Sequence, residues 1–267
     1  AAIVPVVASL FAVTGPGQVW IVYAVILVYG AAGYLTAAAQ SGIIRGMLSD
    51  DQLAAGNGIL STIDNGFRLI APLVGTALYV AFGPHAVVVL TASVFAVAAA
   101  IFAFLPAAPA VRDATTDAGG LVRELTAGFA HLWRVTDLRL MTLAIVIAFG
   151  ATGLLNIVVF PLLDGLDVDP AMIGVLVPVQ GVGAVVGGIL SGAIVGRIGE
   201  ARAAAIGMML LGVGTACLLV PALALAVIGM VVMGLGIPVT VVAFSTLRQR
   251  VTPDHLQGRT AAAGNVA

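Results

Sequence analysis

RGMLSDDQL at positions 45–53 comes back in altered spelling as RQRVTPDHL at positions 248–256. Arg45, Ser49, Asp51 and Leu53 fall on Arg248, Thr252, Asp254 and Leu256, each at an offset of 203 residues (45 to 248, 49 to 252, 51 to 254, 53 to 256). Leu48 and Val251 keep an apolar residue at a shared place. A polar phrase repeated at so long an interval speaks about architecture only if the sequence between the copies supports it.

It does. A helix needs about 20 apolar residues to cross roughly 30 Å of hydrocarbon. Six such stretches lie between the copies, over about 57–81, 84–105, 139–163, 171–195, 202–220 and 222–249. They are cut by Gly83-Pro84, by a charged linker, and by Asp164-Gly165, Gly199-Glu200 and Pro221. A further span, about 19–47, precedes the first copy, behind the turn Thr14-Gly15-Pro16-Gly17-Gln18. An even number of crossings puts both copies on one side of a membrane. They then mark equivalent points in two six-helix halves related by an axis along the membrane normal. The expected fold is an all-α membrane bundle of twelve spans, present here from the end of the third helix to the start of the eleventh. Residues 1–105 read as part of the N-terminal half, 106–138 as a central linker and 139–267 as part of the C-terminal half.

Composition agrees. With 61% hydrophobic and 9% charged residues and a mean hydropathy of +1.17, the chain cannot coat a water-facing surface. A net charge of −1 and the absence of a basic stripe argue against nucleic acid. Cys217 is the sole cysteine, so no internal disulfide or cysteine metal cluster can form. His85, His131 and His255 fall in or beside loops, and no His-Glu-x-x-His, Gly-x-Ser-x-Gly or Walker loop is present. The expectation is therefore not an enzyme, with no cofactor and no metal. The lipid bilayer and a small-molecule substrate are the expected partners, and the chain is expected to act as a monomer.

Sidedness follows from arginine. Of 11 basic residues, all arginine, ten cluster in or beside four connections: Arg45; Arg112, Arg123, Arg134 and Arg139; Arg197 and Arg202; Arg248, Arg250 and Arg259. The alternate connections carry none, so the Arg-bearing loops and the linker are expected to face the cytoplasm, leaving Asp164, Asp167 and Asp169 outside. Within the linker, Leu121, Val122, Leu125, Phe129, Leu132 and Trp133 recur at helical spacing, which predicts an interfacial helix. It is read as a tether on the headgroups in preference to a lever between the halves.

SDDQLAAGNGIL, RELTAGFAHLWRVTDLRLMTL and TPDHLQGR resemble loops and linker of the major facilitator superfamily of secondary transporters, in particular its bacterial enterobactin-exporter-like and macrolide-efflux-like branch. The resemblance runs through nearly all 267 residues. It implies a transporter of the bacterial cytoplasmic membrane working by alternating access. Ala71-Pro72-Leu73-Val74-Gly75-Thr76 stands where the superfamily's antiporter signature falls in helix five, with Pro72 and Gly75 matching. That implies export of a small amphipathic compound, drug or siderophore-like, driven by a proton gradient. Uptake of a small metabolite, or a non-transporting scaffold or sensor, is the alternative. The run Gly192 to Gly199 resembles the superfamily's cytoplasmic loop signature, with Gly196 in place of its acid. One departure is the absence of charge between Trp20 and Ile44, where many proton-coupled drug exporters carry an arginine.

Asp64 and Arg68 are the ionisable pair inside a predicted span, four residues apart and so on one helical face. They are candidates for substrate binding or coupling, against the alternative of a structural ion pair. Gln40, Asn156 and Gln180 are neutral candidates to line a cavity, though each could equally bond between helices. Arg45, Asp51, Arg197, Arg248 and Asp254 are candidates for a cytoplasmic gate, against the alternative of topological anchors. Gly181, Gly183, Gly187, Gly188 and Gly192 read as a packing and sliding surface.

Overall fold

The computed structural model describes residues 5–6, 9–13, 15–104, 120–164, 173–220 and 222–266, without the side chains of residues 12, 16, 34, 35, 38, 102, 103, 120–125, 154–164, 173–177, 255, 265 and 266. The described residues are helical and contain no strand. After a 3-10 turn at Pro16–Gln18 come α1 (Val19–Met47), α2 (Leu53–Phe82), α3 (Pro84–Phe104), α4 (Gly120–Arg134), α5 (Thr136–Asp164), α6 (Ile173–Ile198), α7 (Glu200–Leu218), α8 (Leu223–Val251) and α9 (Gln257–Val266). Among the described residues six helices are long and apolar enough to cross a membrane, and they run from the last residue of the first phrase into the second, matching the count made from sequence.

The helices outrun the apolar stretches that predict them. α2 starts at Leu53 instead of 57, α5 at Thr136 instead of 139, and α8 continues to Val251. Charge favours two of these extensions. Asp137 in the first turn of α5 faces the positive end of the helix dipole, and Arg248 and Arg250 in the last turn of α8 face the negative end. Among the described residues three connections shrink to one residue, Gly83, Val135 and Gly199. Gly83 (φ 78°) and Gly199 (φ 81°) take a left-handed conformation that side chains resist, and Pro84 opens α3 where a missing N–H is harmless.

Apolar surroundings leave hydroxyls no water, and the chain meets this locally. Thr62, Thr91, Thr152 and Thr240 each donate to the carbonyl four residues back, at 2.8–3.0 Å. On α1 to α3 large apolar side chains such as Trp20, Tyr23, Phe67, Val80 and Phe104 lie exposed, a surface suited to lipid.

Packing centres on α6 and α8. α8 lies along α7 and α6, and α6 lies along α2. The α6 glycines serve two partners. Gly181, Gly188 and Gly192 face α2: an added Cβ would stand 3.0 Å from the Leu69 side chain at the first, and 2.9 Å from Thr62 Cα and the Ala54 carbonyl oxygen at the other two. Gly183 and Gly187 face α8, at Val231, Leu235 and Pro238. Small residues are what allow such backbone approach on both sides of one helix.

The predicted linker helix is α4. Its Leu132 is buried with Leu138 of α5 and Ala263 of α9, supported by Val135, Phe244 and Leu247. Gly128 passes so close to the Arg259–Thr260 backbone that no Cβ fits between them. Phe129 and Trp133 stay exposed. α4 is thus seated on α5 and α9, while 106–119, with Arg112, and the turn at 165–170 fall outside the described residues.

Candidate functional site

The two copies of the repeated phrase meet. Arg45 pairs with Asp50 of its own copy, and its Nε lies 3.9 Å from Asp254 of the other. Arg250 pairs with Glu200 at the start of α7 and donates through Nη2 to the Asp50 carbonyl at 2.7 Å. Both copies therefore occupy one end of the bundle, as an even span count requires.

Their structural register differs from their sequence register. α1 ends at Met47 and α8 at Val251; the next residues, Leu48 and Thr252, are both extended and both donate back to the carbonyl four residues earlier, on Ile44 and Arg248. α2 starts at Leu53 and α9 at Gln257. These pairs (47 to 251, 48 to 252, 53 to 257) are 204 residues apart, one more than the offset that matches the letters. The acid equivalent to Asp254 is then Asp50, and both converge on Arg45. Asp51 is exposed. Its carboxyl is held below the ordinary range first by the Ser49 hydroxyl, then by its own backbone N–H and the charge of Arg250. Arg197 is exposed and takes no part in the ion pairs at this end.

Beneath this charged layer lies a buried one. Asn57, 7% exposed on α2, donates through Nδ2 to Thr246 Oγ1 at 3.0 Å and to Gln249 Oε1 at 2.7 Å, both on α8. Ser41 on α1 accepts from Arg248 Nη2 at 3.0 Å and from Gln249 Nε2 at 3.5 Å. Gln257 closes the layer by donating to the carbonyls of Gln249 and Thr252. Three helices are thus tied by neutral groups and a single guanidinium, all shielded from water.

From Asn57 a polar stripe climbs α2. Asn57, Ser61, Asp64 and Arg68 follow at spacings of four, three and four, so they share a face. Exposure rises along it: Asn57 is buried and Ser61 half-buried, whereas Asp64 and Arg68 are 64% and 75% exposed and pair at 2.9 Å. Arg68 stands about 16 Å along the helix from the buried layer. Pro72 and Gly75 continue upward in α2, with nothing within 4 Å of a Cβ at Gly75. Gln40 is exposed beside buried Ser41, and Gln180 is half-buried where its carbonyl abuts Gly234. The side chain of Asn156 lies outside the described residues.

Ser41, Asp50, Asn57, Glu200, Thr246, Gln249 and Arg250 therefore belong to the site without having been singled out from sequence as candidates. Among the described residues no cluster of His, Cys, Asp or Glu could hold a metal. The arrangement offers no nucleophile with a base. It offers a closed seam between helices from the two ends of the chain, below an open polar face.

Comparison with known families gives one match: the model described as Major Facilitator Superfamily covers residues 1–267. No curated protein and no solved structure matches the chain.

Proposed function

The chain belongs to the major facilitator superfamily, a family of membrane transporters, and on that premise we propose that it is a proton-coupled carrier exporting a small amphipathic compound, drug or siderophore-like. The observation that carries this reading is the seam in which the two repeated phrases meet across α1, α2 and α8. A seam of hydrogen bonds and ion pairs can form and part as a unit, whereas a packed apolar core would not reopen to water. With residues 1–105 and 139–267 as portions of two halves, the seam is the cytoplasmic gate in its shut position. The Asp64–Arg68 face, with Gln40, Asn156 and Gln180, is the proposed path of substrate and proton. Arg45, Asp254 and Arg250 latch the outer layer, and Asp51 and Arg197 contribute field from outside the latch.

Three features support the finer points. Export rests on Pro72 and Gly75 of the antiporter-like stretch in α2. Placement in the bacterial cytoplasmic membrane with the seam inside rests on arginine at that end. Proton coupling rests on Asp64, the acid on the exposed stripe, beside a cation that changes partners as the halves move.

The test is profiling of metabolites and antibiotics in a deletion strain complemented with the full-length gene. A compound that accumulates on deletion, with efflux restored by the gene and abolished by a protonophore, is the expected result. Loss of uptake on deletion reverses the direction, and flux indifferent to the proton gradient removes the coupling.

A further inference from the structure

Arg248 is 6% exposed, yet among the described residues no carboxylate lies within 4.0 Å of it. The described acids of the seam are taken or turned away. Asp50 and Asp254 attend Arg45, Glu200 attends Arg250, and Asp51 is exposed beside Ser49. Around the guanidinium stand Ser41, which accepts from Nη2; the Phe244 ring, whose centroid is 6.0 Å away; and the backbone of Gly264, within 3.9 Å of Nη1 measured from a Cβ built there. Nε is buried without any acceptor.

A buried cation lacking its counter-charge is expensive, and a protein that needed only packing there would carry an apolar residue. The negative end of α8 makes the burial tolerable while the seam is shut. It does not saturate the five N–H donors of a planar fork, of which the side-chain hydroxyl of Ser41 engages one. The neighbours Asn57, Thr246 and Gln249 are neutral and already bonded to one another, so they do not compete for the charge. The group also sits between α1, α8 and α9, inside the seam.

We propose that Arg248, with Ser41, receives the anionic group of the transported compound, a carboxylate or comparable oxyanion, when the seam parts. The proposal rests on the carrier reading and narrows it to organic anions. Opening α1 from α8 frees Nη2 from Ser41 and presents Nε and Nη2 as a bidentate pair, which matches two oxygens of a carboxylate. The same Ser41 hydroxyl that accepts in the shut state can donate in the open one. Arg248 is then a binding residue on the cytoplasmic entry side, and closure of the seam requires the anion to have moved on.

The test uses the full-length protein in vesicles of neutral phosphatidylcholine, with radiolabelled benzoate as the anionic probe and benzamide as its neutral isostere. Wild type should bind benzoate on the order of tenfold more tightly than benzamide, as a charge-assisted pair requires. R248Q should erase that preference, R248K should keep part of it, and S41A should reduce it. If R248Q fails to fold, R248K and S41A carry the test. Equal binding of the two probes by wild type, or an intact preference in R248Q, overturns the proposal. So does loss of benzoate binding on adding phosphatidylglycerol, which would make the site a lipid headgroup site. If the preference survives in R248Q while the protein still exports in the profiling experiment, the anion site falls and the carrier reading stands. Absence of any gradient-driven flux by wild type removes both.

Discussion

Replacing Asn57 with alanine addresses the buried layer directly. Asn57 Nδ2 serves two acceptors on α8, Thr246 Oγ1 and Gln249 Oε1, and Asn57 is 7% exposed. Removing it deletes two hydrogen bonds, worth about 1 kcal/mol each, and leaves both acceptors short of a donor in a dry site. With neither acceptor supplied by another donor, the shut seam should lose about 2–4 kcal/mol relative to a parted seam in which water reaches both groups. Since 1.4 kcal/mol is a factor of ten, the ratio of shut to open should fall roughly 30- to 1,000-fold. Spin labels on Gln52 and Val251, exposed positions beside the seam, report the distance between the copies once Cys217 is replaced. In lipid nanodiscs the distribution should move to longer distances in Asn57→Ala and return with Asn57→Gln if the longer amide can reach. A lower melting temperature with an unchanged distance distribution would refute the reasoning, because Asn57 would then stabilise the fold and not the seam.

Three further outcomes follow from the same geometry. Gly192→Val should destabilise the chain by about 1–3 kcal/mol, since an added Cβ stands 2.9 Å from the Ala54 carbonyl oxygen and 3.0 Å from Ala55 Cα; thermal unfolding should show this, while Gly212→Val, with nothing within 4 Å, should unfold like wild type. Asp64→Asn and Arg68→Ala should change stability by no more than about 0.5 kcal/mol, because both partners are mostly exposed, yet each should reduce flux in vesicles; undiminished flux in both would leave a structural pair. Asp51 titrates below its ordinary 3.8, so whatever its charge contributes is present above that pH and is lost only as pH falls through the lowered value. Ser49→Ala should move the titration upward, as carboxyl NMR shifts would report, and an unmoved titration would displace Ser49 as the leading cause.

How far the sequence could be read depended on what kind of signal each feature leaves. Spans announce themselves because most residues in a membrane crossing must be apolar, and six of the expected spans recur as helices able to cross. The repeat was legible, but its register was not. Letters matched Asp51 with Asp254, whereas the ends of α1 and α8 and the starts of α2 and α9 match Asp50 with Asp254. The fixed point is the extended residue that stops each helix, and backbone caps of that kind leave no distinctive side chain. Ser41, Asn57, Thr246 and Gln249 are harder still. Each is a neutral polar residue whose own neighbours in the chain give no sign of its role, and their partners lie 189 to 208 residues away. The polar spacing of α2 held a usable clue, because Asn57 continues the Asp64–Arg68 face downward by two turns.

The division of labour in the seam bears on coupling. Its ion pairs form an outer layer where at least one partner is exposed, so salt screens them and each is worth little alone. Its buried layer is held by amides, hydroxyls and one guanidinium, and it contains no carboxylate. A change of proton concentration therefore has no direct hold on the buried layer. If protons drive the carrier, their binding must act where a carboxylate is accessible, and the Asp64–Arg68 pair on the stripe meets that condition. On the proposed function the two ends of one face of α2 have separate duties: Asn57 fastens the helix to α8, and the Asp64–Arg68 pair, about 10 Å further along, is the proposed place of coupling. Breaking that pair would act on the seam through α2 itself, a helix held against α6 by glycine contacts too close for any side chain to cushion.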